Sequence, residues 1–207
     1  MNHFVIAITR TCGSGGTTIG KMLAQNYHIN LYDKKLMRLA SDDSGISEKI
    51  FAAADEDQKR STLYMASKNV YNGEIISPEE DDFTSNDNLF AYQAKVLKEL
   101  TKSESYVVIG RGADFVLKDY HHLIRVFIHA PYEKCVQHEM DYMSFSRKEA
   151  EKMIAKTDAY RDSYYRHHTG QDWHNVKNYD LSLDTGLYSY EECVKLIQLF
   201  VGYIESK

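Results

Sequence analysis

The sequence predicts an α/β domain built on a parallel sheet with helices on both faces. Three observations carry that reading. Short apolar, β-branched runs recur at 4–8, 30–32, 106–109, 123–128 and 179–183. Segments with the 3.6-residue spacing of helices separate them. The first run passes through a glycine-rich loop straight into such a helical segment. Strands joined by helices lie parallel, and a strand covered on both faces shows a continuous apolar run. The chain has 207 residues, two prolines and no Ser/Gly/Pro-rich linker, so it is read as one domain, 1–207.

In order, 4–8 is a buried strand and 17–27 a helix, with Ile19, Met22, Leu23 and Tyr27 on one face. Residues 30–32 form a second strand, and Asp33 at its end is placed to cap a helix over 34–40. A charged amphipathic helix is expected over 47–69. The acidic stretch 72–88 is rich in turn residues and is expected as a surface loop. A helix follows over 89–100, then a strand at 106–109 ending in Gly110 and Arg111. The strand at 123–128 ends in Ala130 and Pro131, with a helix from Tyr132 onward. A long polar helix spans 146–165. The last strand, 179–183, leads to a closing amphipathic helix over 190–204.

Composition narrows the function. A net charge of −5 gives no basic footprint for nucleic acid. No apolar run approaches the ~20 residues that span a bilayer, so no membrane partner is expected. Cys12, Cys135 and Cys193 lack metal-ligand spacing, and no charged-then-apolar leader is seen, which predicts a reduced, cytoplasmic protein. The adjacent pairs His121, His122 and His167, His168 point to different sides of any regular element, so solvated or packing histidines are expected. Cys12 is expected as a small apolar spacer ahead of a modifiable thiol.

The run RTCGSGGTT, from Arg10 to Thr18, decides the chemistry. Backbone N–H groups around glycines, aimed by a helix N-terminus, form an anion site without a charged side chain. Against the phosphate-loop pattern G-x-x-x-x-G-K-[ST], Arg10 stands at the first glycine, Gly15 at the second, Gly16 at the lysine and Thr17 at the hydroxyl. The strict pattern fails, but a cradle of Gly13, Ser14, Gly15 and Gly16 still permits left-handed backbone. Thr17 and Thr18 open the helix with hydroxyls suited to phosphate or Mg²⁺. The missing ammonium normally neutralises the terminal phosphates; Arg10 is the candidate substitute, ahead of Lys21. The ordinary alternative is a glycine turn needed only for close packing of helix on strand.

Ligands bind beyond the carboxyl ends of such strands. That edge gathers 10–18, Asp33, Gly110, Arg111, His129, Ala130 and Asp184. Asp33 is a candidate to position an acceptor or hold Mg²⁺ through water, beside its capping role. Arg111 at a strand end is costly unless paired, which favours a ligand contact. Asp184 is expected as a turn residue before Thr185.

These residues resemble a family. Arg10, Gly13 to Gly16 and Ile19 to Ala24, then Tyr32 to Leu36, Val107 to Leu117, Asp158-x-x-Arg161-x-x-Tyr164-Tyr165 and 179–185 are similar, in order, to the cytidylate kinase-like proteins. These are a bacterial branch of the phosphate-loop nucleoside monophosphate kinases. The resemblance implies a three-layer α/β/α fold of the P-loop NTP hydrolase and nucleotide kinase type, with a five-stranded parallel sheet in the order 2-3-1-4-5. It implies an acceptor-side helical insert at 42–100 and a helical lid at 146–176. It also implies ATP and Mg²⁺, with phosphoryl transfer to a nucleoside monophosphate such as CMP or dCMP. By the resemblance, Arg111 contacts the acceptor nucleotide, and Asp158 and Arg161 bind its ribose and phosphate. Lys134 stands where the family places a phosphate-binding arginine, and Thr17 would reach the metal through the nucleotide. The chain departs from the family at the loop lysine, at Gly112 where an aspartate is usual (Asp114 is close by), and in a lid with fewer arginines, reading Arg166 through Trp173.

Phosphoryl transfer needs positioning and charge stabilisation. Arg161 is assigned first to that task, Arg166 second, with a helix end between them turning both inward; Arg10 completes the set. The ordinary alternatives are a solvated helix face and, for Asp158, an i,i+3 ion pair with Arg161. Two rival functions remain beside the kinase of nucleotides. One is a kinase of a non-nucleotide small molecule. The other is a catalytically weak nucleotide-binding or regulatory protein, favoured by Gly16 at the lysine position.

Overall fold

A computed structural model of the chain describes residues 3–58 and 69–205. Strand β1 (Val5–Arg10) lies at the centre because both of its faces are apolar. Val5 and Ala7 point into one core cluster and Ile6 and Ile8 into the other. The remaining strands are β2 (Asn30–Tyr32), β3 (Tyr106–Ile109), β4 (Leu123–His129) and β5 (Leu181–Asp184). All five pair in parallel in the order β2-β3-β1-β4-β5, as expected. Ile8 is level with Ile109 and Arg10 with Ile128, so the strand ends form one edge.

Helices α1 (Gly16–Tyr27) and α8 (Tyr190–Glu205) cover one face through Ile19, Leu23, Val194 and Ile197. On the other face lie α2 (Lys35–Ser44) and α4 (Asn86–Leu100), with Leu36, Leu89 and Leu97 in the core. Helix α3 (Glu48–Gln58) packs on α2. The helix expected over 47–69 is seen to Gln58, and 59–68 lie outside the described residues. Residues 86–88, expected in the acidic loop, open α4, where the Ser85 hydroxyl accepts from the Asn88 N–H and caps the first turn. The short helix α5 (Ala113–Val116) has no counterpart in the sequence-based expectation.

Helix α6 (Tyr132–Met143) packs beside α7 (Arg147–Thr169). A reciprocal capping box of Ser146 and Glu149 starts α7, and Gly170 in the left-handed region ends it. Its 23 residues run unbroken, so the helix end expected between Arg161 and Arg166 is absent. No helix among the described residues is long and apolar enough to cross a membrane.

Candidate active site

Arg10 ends β1, and its side chain turns across the start of α1. A Cβ at Gly16 would lie 2.5 Å from Arg10 Cβ and 3.0 Å from Cγ, and a Cβ at Gly110 would lie 2.7 Å from Nη1. One arginine therefore needs two glycines: its stem covers Gly16 and its head covers Gly110. A lysine at position 16 would collide with that stem. Arg10 stands where the phosphate-loop pattern has its first glycine and Gly16 where it has lysine, and the space a side chain at 16 would need is taken by the Arg10 stem.

Arg10 is half-buried, on the wall of a cavity. Desolvation, then Arg161 and Arg111, push its pKa well below the usual arginine value. Its Nε is buried without a hydrogen-bond partner. A buried cation among like charges is costly unless an anion offsets it. Arg10, Arg111 and Arg161 line one cavity of about 490 Å³, with Lys34 and Lys156 also on its wall and Tyr160, Tyr164 and Trp173 as aromatic lining.

Arg111 reaches that cavity through a strained turn. Gly110, Arg111 and Gly112 have φ of 69°, 64° and 62°. A left-handed non-glycine residue costs roughly 1–2 kcal/mol, which marks a position held for a reason. The Arg111 guanidinium lies 3.9 Å from Met37 Sδ. Arg161 comes from α7: its Nη1 donates to the Arg10 carbonyl at 3.2 Å and to Asp158 Oδ1 at 3.3 Å. Asp158, expected on the acceptor side, is turned to the loop instead. Its Oδ1 accepts the Cys12 N–H at 2.8 Å, and it does not line the cavity. Burial pushes its pKa up, against the pull of the Cys12 amide and Arg161.

Gly15, at φ 81°, occupies the N-cap of α1 without a side-chain cap. The amides of Gly16, Thr17 and Thr18 follow in the first turn, where helix geometry supplies no partner and oxyanions bind well. Thr17 lines the cavity, and so does Asp33. Both offer the oxygen ligands that Mg²⁺ takes, so the residues fit a metal–nucleotide donor. Thr18 is exposed. Ser14 departs from the expected cradle: it is fully buried, its Oγ donates to the Thr11 carbonyl at 2.8 Å, and its amide goes to the same carbonyl at 3.4 Å. It braces the loop from within. Gly13 approaches α6, where a Cβ would lie 2.6 Å from the Cys135 carbonyl oxygen, so the close-packing reading of these glycines also applies.

Like Asp158, Arg166 and Lys134 stay outside the cavity wall. Arg166 is exposed on the outer face of α7, paired with Asp162 at 3.1 Å. With α7 continuous, five residues of helix turn it away from Arg161. Lys134 donates to the Thr185 carbonyl, and the Thr185 hydroxyl donates to the Ser14 carbonyl at 2.9 Å; this ties α6 and β5 to the loop. Asp33 is not the N-cap expected of it: α2 starts at Lys35 with Lys34 as N-cap and no side-chain cap, and Asp33, one residue earlier, only accepts the Lys35 N–H at 3.4 Å from its place in the cavity wall. Asp184 takes the Gly186 N–H at 2.7 Å, as a turn residue does. Burial pushes the Cys12 thiol up to about 11, consistent with an inert spacer.

Sequence reasoning missed three contacts. Asp114, 4% exposed, accepts the Tyr165 hydroxyl at 2.6 Å and joins α5 to the cavity wall. Burial pushes its pKa up to about 6. Its apolar neighbours Ala113, Phe115 and Val116 were the available signal. The Tyr190 ring lies against Gly15, where a Cβ would be 2.2 Å from Cζ; nothing in sequence joins positions so far apart. Finally, the adjacent histidines do not diverge. His167 Nε2 is 2.7 Å from Asp87 Oδ1, and His168, stacked on Phe90 at 4.0 Å, has Nδ1 3.6 Å from the same oxygen.

Residues 5–187 match the family model described as the cytidylate kinase-like family. An uncharacterized protein from Eubacterium ventriosum has a crystal structure of similar fold: TM-score 0.71, 22% identity, 99% of this chain and 100% of that one covered. A Thermus thermophilus protein follows at TM-score 0.50, 18% identity and coverage of 96% and 98%. A shikimate kinase from Bacteroides thetaiotaomicron gives TM-score 0.51, 12% identity and coverage of 96% and 98%. At these identities the likeness is one of fold. No curated protein sequence matches the chain. The family match extends from β1 through the glycine loop and α7 to the turn after β5, and the chain belongs to the cytidylate kinase-like family.

Proposed function

We propose that the protein transfers the γ-phosphoryl group of ATP to a nucleoside monophosphate, with CMP or dCMP as acceptor. The observation that supports this most is the seat of Arg10. A half-buried guanidinium, with its enclosed Nε unsatisfied, lines a cavity with Arg111 and Arg161 beside a helix N-terminus. Such a concentration of positive charge suits phosphates on both sides of a transfer.

The first-turn amides of α1 and the Thr17 hydroxyl hold the donor's phosphates. Arg10 offsets charge on the terminal phosphates in place of the absent lysine. Mg²⁺ bound with the donor supplies further neutralisation of the β and γ oxygens. Arg111 holds the acceptor's phosphate, with Asp33 and Lys34 on the same wall. Arg161, between loop and cavity, stabilises charge on the group in transit. Tyr160, Tyr164 and Trp173 keep water from the reacting phosphate and face the acceptor's base.

The test is a coupled ADP-release assay with CMP, dCMP, UMP, AMP and a small hydroxy acid such as shikimate. ADP release that depends on CMP or dCMP is expected. Binding of ATP with no release above background for any nucleotide contradicts the proposal. One observation favours a second reading, a kinase of a compact non-nucleotide acid. Within residues 166–173, where the family's lid carries more arginines, His168 and Trp173 turn inward here: they are 1% and 2% exposed, and Trp173 lines the cavity. Turnover with the hydroxy acid alone would select it.

A further inference from the structure

Three metal-ligand atoms from distant parts of the chain meet where α7 ends. His167 Nε2 is 2.7 Å from Asp87 Oδ1, and His168 Nδ1 is 3.6 Å from the same oxygen. One ligand atom from each residue lies within 4.8 Å of the other two. A tetrahedral ion with bonds of roughly 2.0–2.1 Å sets its ligands roughly 3.3 Å apart. The two distances to Oδ1 fall on either side of that spacing. A hydrogen bond accounts for the shorter one but not for the longer, which exceeds hydrogen-bond reach. A metal ion held among the three atoms accounts for both.

Adjacent residues on a helix point about 100° apart, so two neighbouring histidines reach one oxygen only if their rings fold together. These rings do: their centroids are 4.7 Å apart and their planes stand at 90°. Both are buried, and His168 is stacked on Phe90 and edge-on to Tyr164 at 4.6 Å. The backbone is held as well. The His167 and His168 carbonyls accept the Asn69 and Tyr71 N–H groups at 3.2 and 2.9 Å. Asp87 sits in the first turn of α4, and its Oδ2 accepts from Asn69 Nδ2 at 2.7 Å, which leaves Oδ1 to the rings. An outer hydrogen bond of this kind orients a metal-ligating carboxylate. The place itself favours a cation, because the negative end of the α7 dipole acts over its last turn.

Asp87 and His168 open on a cavity of about 130 Å³, distinct from the one at Arg10, with Asn72 and Glu74 on its wall. It has room for water, so a fourth ligand comes from solvent or from the Glu74 carboxylate. Two imidazoles, a carboxylate and an open position form a set that zinc takes, whereas Mg²⁺ and Ca²⁺ prefer oxygen alone. We propose that Asp87, His167 and His168 bind a zinc ion that clamps the end of α7 to the start of α4. The clamp stands behind the active cavity, because His168 packs on Tyr164 and Tyr164 lines that cavity. The inference is independent of the kinase reading. A second group, Asp162, Asp172 and His174, has one imidazole and is more exposed, and it serves as the comparison.

The test uses the full chain, stripped of metal with a chelator and titrated with Zn²⁺ in excess Mg²⁺, followed by calorimetry and thermal denaturation. One equivalent of Zn²⁺ is expected to bind. At about a hundredfold excess over its dissociation constant it is expected to raise the melting temperature by at least about 5 °C. Co²⁺ in its place is expected to show the visible absorption of a tetrahedral site. Asp87→Asn is expected to weaken Zn²⁺ binding at least about tenfold, and Asn69→Ala, which removes the outer hydrogen bond, about tenfold. His174→Ala is expected to leave it within about twofold of wild type. Asp87 is partly exposed and asparagine keeps its shape, so that variant folds where loss of a buried ring would leave a void. Absence of stoichiometric Zn²⁺ binding overturns the proposal. So do undiminished binding in Asp87→Asn, loss of binding in His174→Ala, and an octahedral Co²⁺ spectrum.

Discussion

At the scale of the residue, the molecule turns on where one positive charge sits. Arg10 keeps a guanidinium in a half-buried place that its stem can reach only because positions 16 and 110 carry no Cβ. The cost of that burial gives a prediction about stability. Arg10→Met keeps much of the length and removes the charge, so it is expected to raise the stability of the isolated protein by about 1 kcal/mol or more. Pyrophosphate should raise the melting temperature of the wild type by binding the folded state and should do much less for the variant. Thermal denaturation with and without the anion checks both parts. Arg10's candidacy was visible in sequence, since it ends an apolar strand beside a glycine loop. Its dependence on Gly16 was not, because that contact crosses a turn and depends on the path of a side chain. The same holds for Asp158, whose spacing to Arg161 allowed an ion pair but did not reveal the amide of Cys12 as its other partner.

At the scale of the element, α7 connects the site to the rest of the fold. Its last turns are tied to α5 by the Tyr165–Asp114 hydrogen bond and to α4 by His167 and Asp87. Burial lifts Asp114 to about 6, above the unfolded value of roughly 3.9. The folded state therefore favours the protonated acid, and the associated stability is complete below about pH 4 and declines as pH rises through about 6. Asp114→Asn removes that dependence. Its stability relative to wild type should rise between about pH 4 and 6 and level off above, by at most about 1.4 kcal/mol per pH unit. Urea denaturation of both proteins at pH 4.5, 6 and 7.5 measures the difference, in which groups common to both cancel. Elements long enough to show a period were legible to within a few residues: β2 and β3 have the expected limits, and α1 differs by one residue. The four residues of α5 are too few to display any period. The extension of α7 to Thr169 did have a signal, because no helix breaker precedes Gly170 and glycine is the usual residue just past a helix end.

At the scale of the whole molecule, a parallel sheet with its central strand buried on both faces sets the location of the site before any side chain is considered. The order β2-β3-β1-β4-β5 brings the glycine loop beside the Gly110–Gly112 turn, and α7 crosses both. Family and loop position could be read from the chain, since they rest on local patterns that run in order along it, and the sheet order followed only from the resemblance to the family. The partition of charged residues could not. Arg166 and Arg161 belong to the same helix, yet only Arg161 enters the cavity, and that choice depends on how α7 is rotated against the sheet.

The central claim is that Arg10 supplies the cation an ordinary loop takes from lysine, and that Gly16 exists to admit it. The most direct measurement is the affinity for a Mg²⁺-bound, non-hydrolysable ATP analogue across wild type, Arg10→Ala, Gly16→Lys and the double exchange Arg10→Gly with Gly16→Lys. Arg10→Ala should weaken binding by at least about tenfold. Gly16→Lys alone should destabilise the protein, because the new side chain meets the Arg10 stem, and the double exchange should recover both folding and affinity. An Arg10→Ala protein that binds the analogue as tightly as wild type would contradict the account.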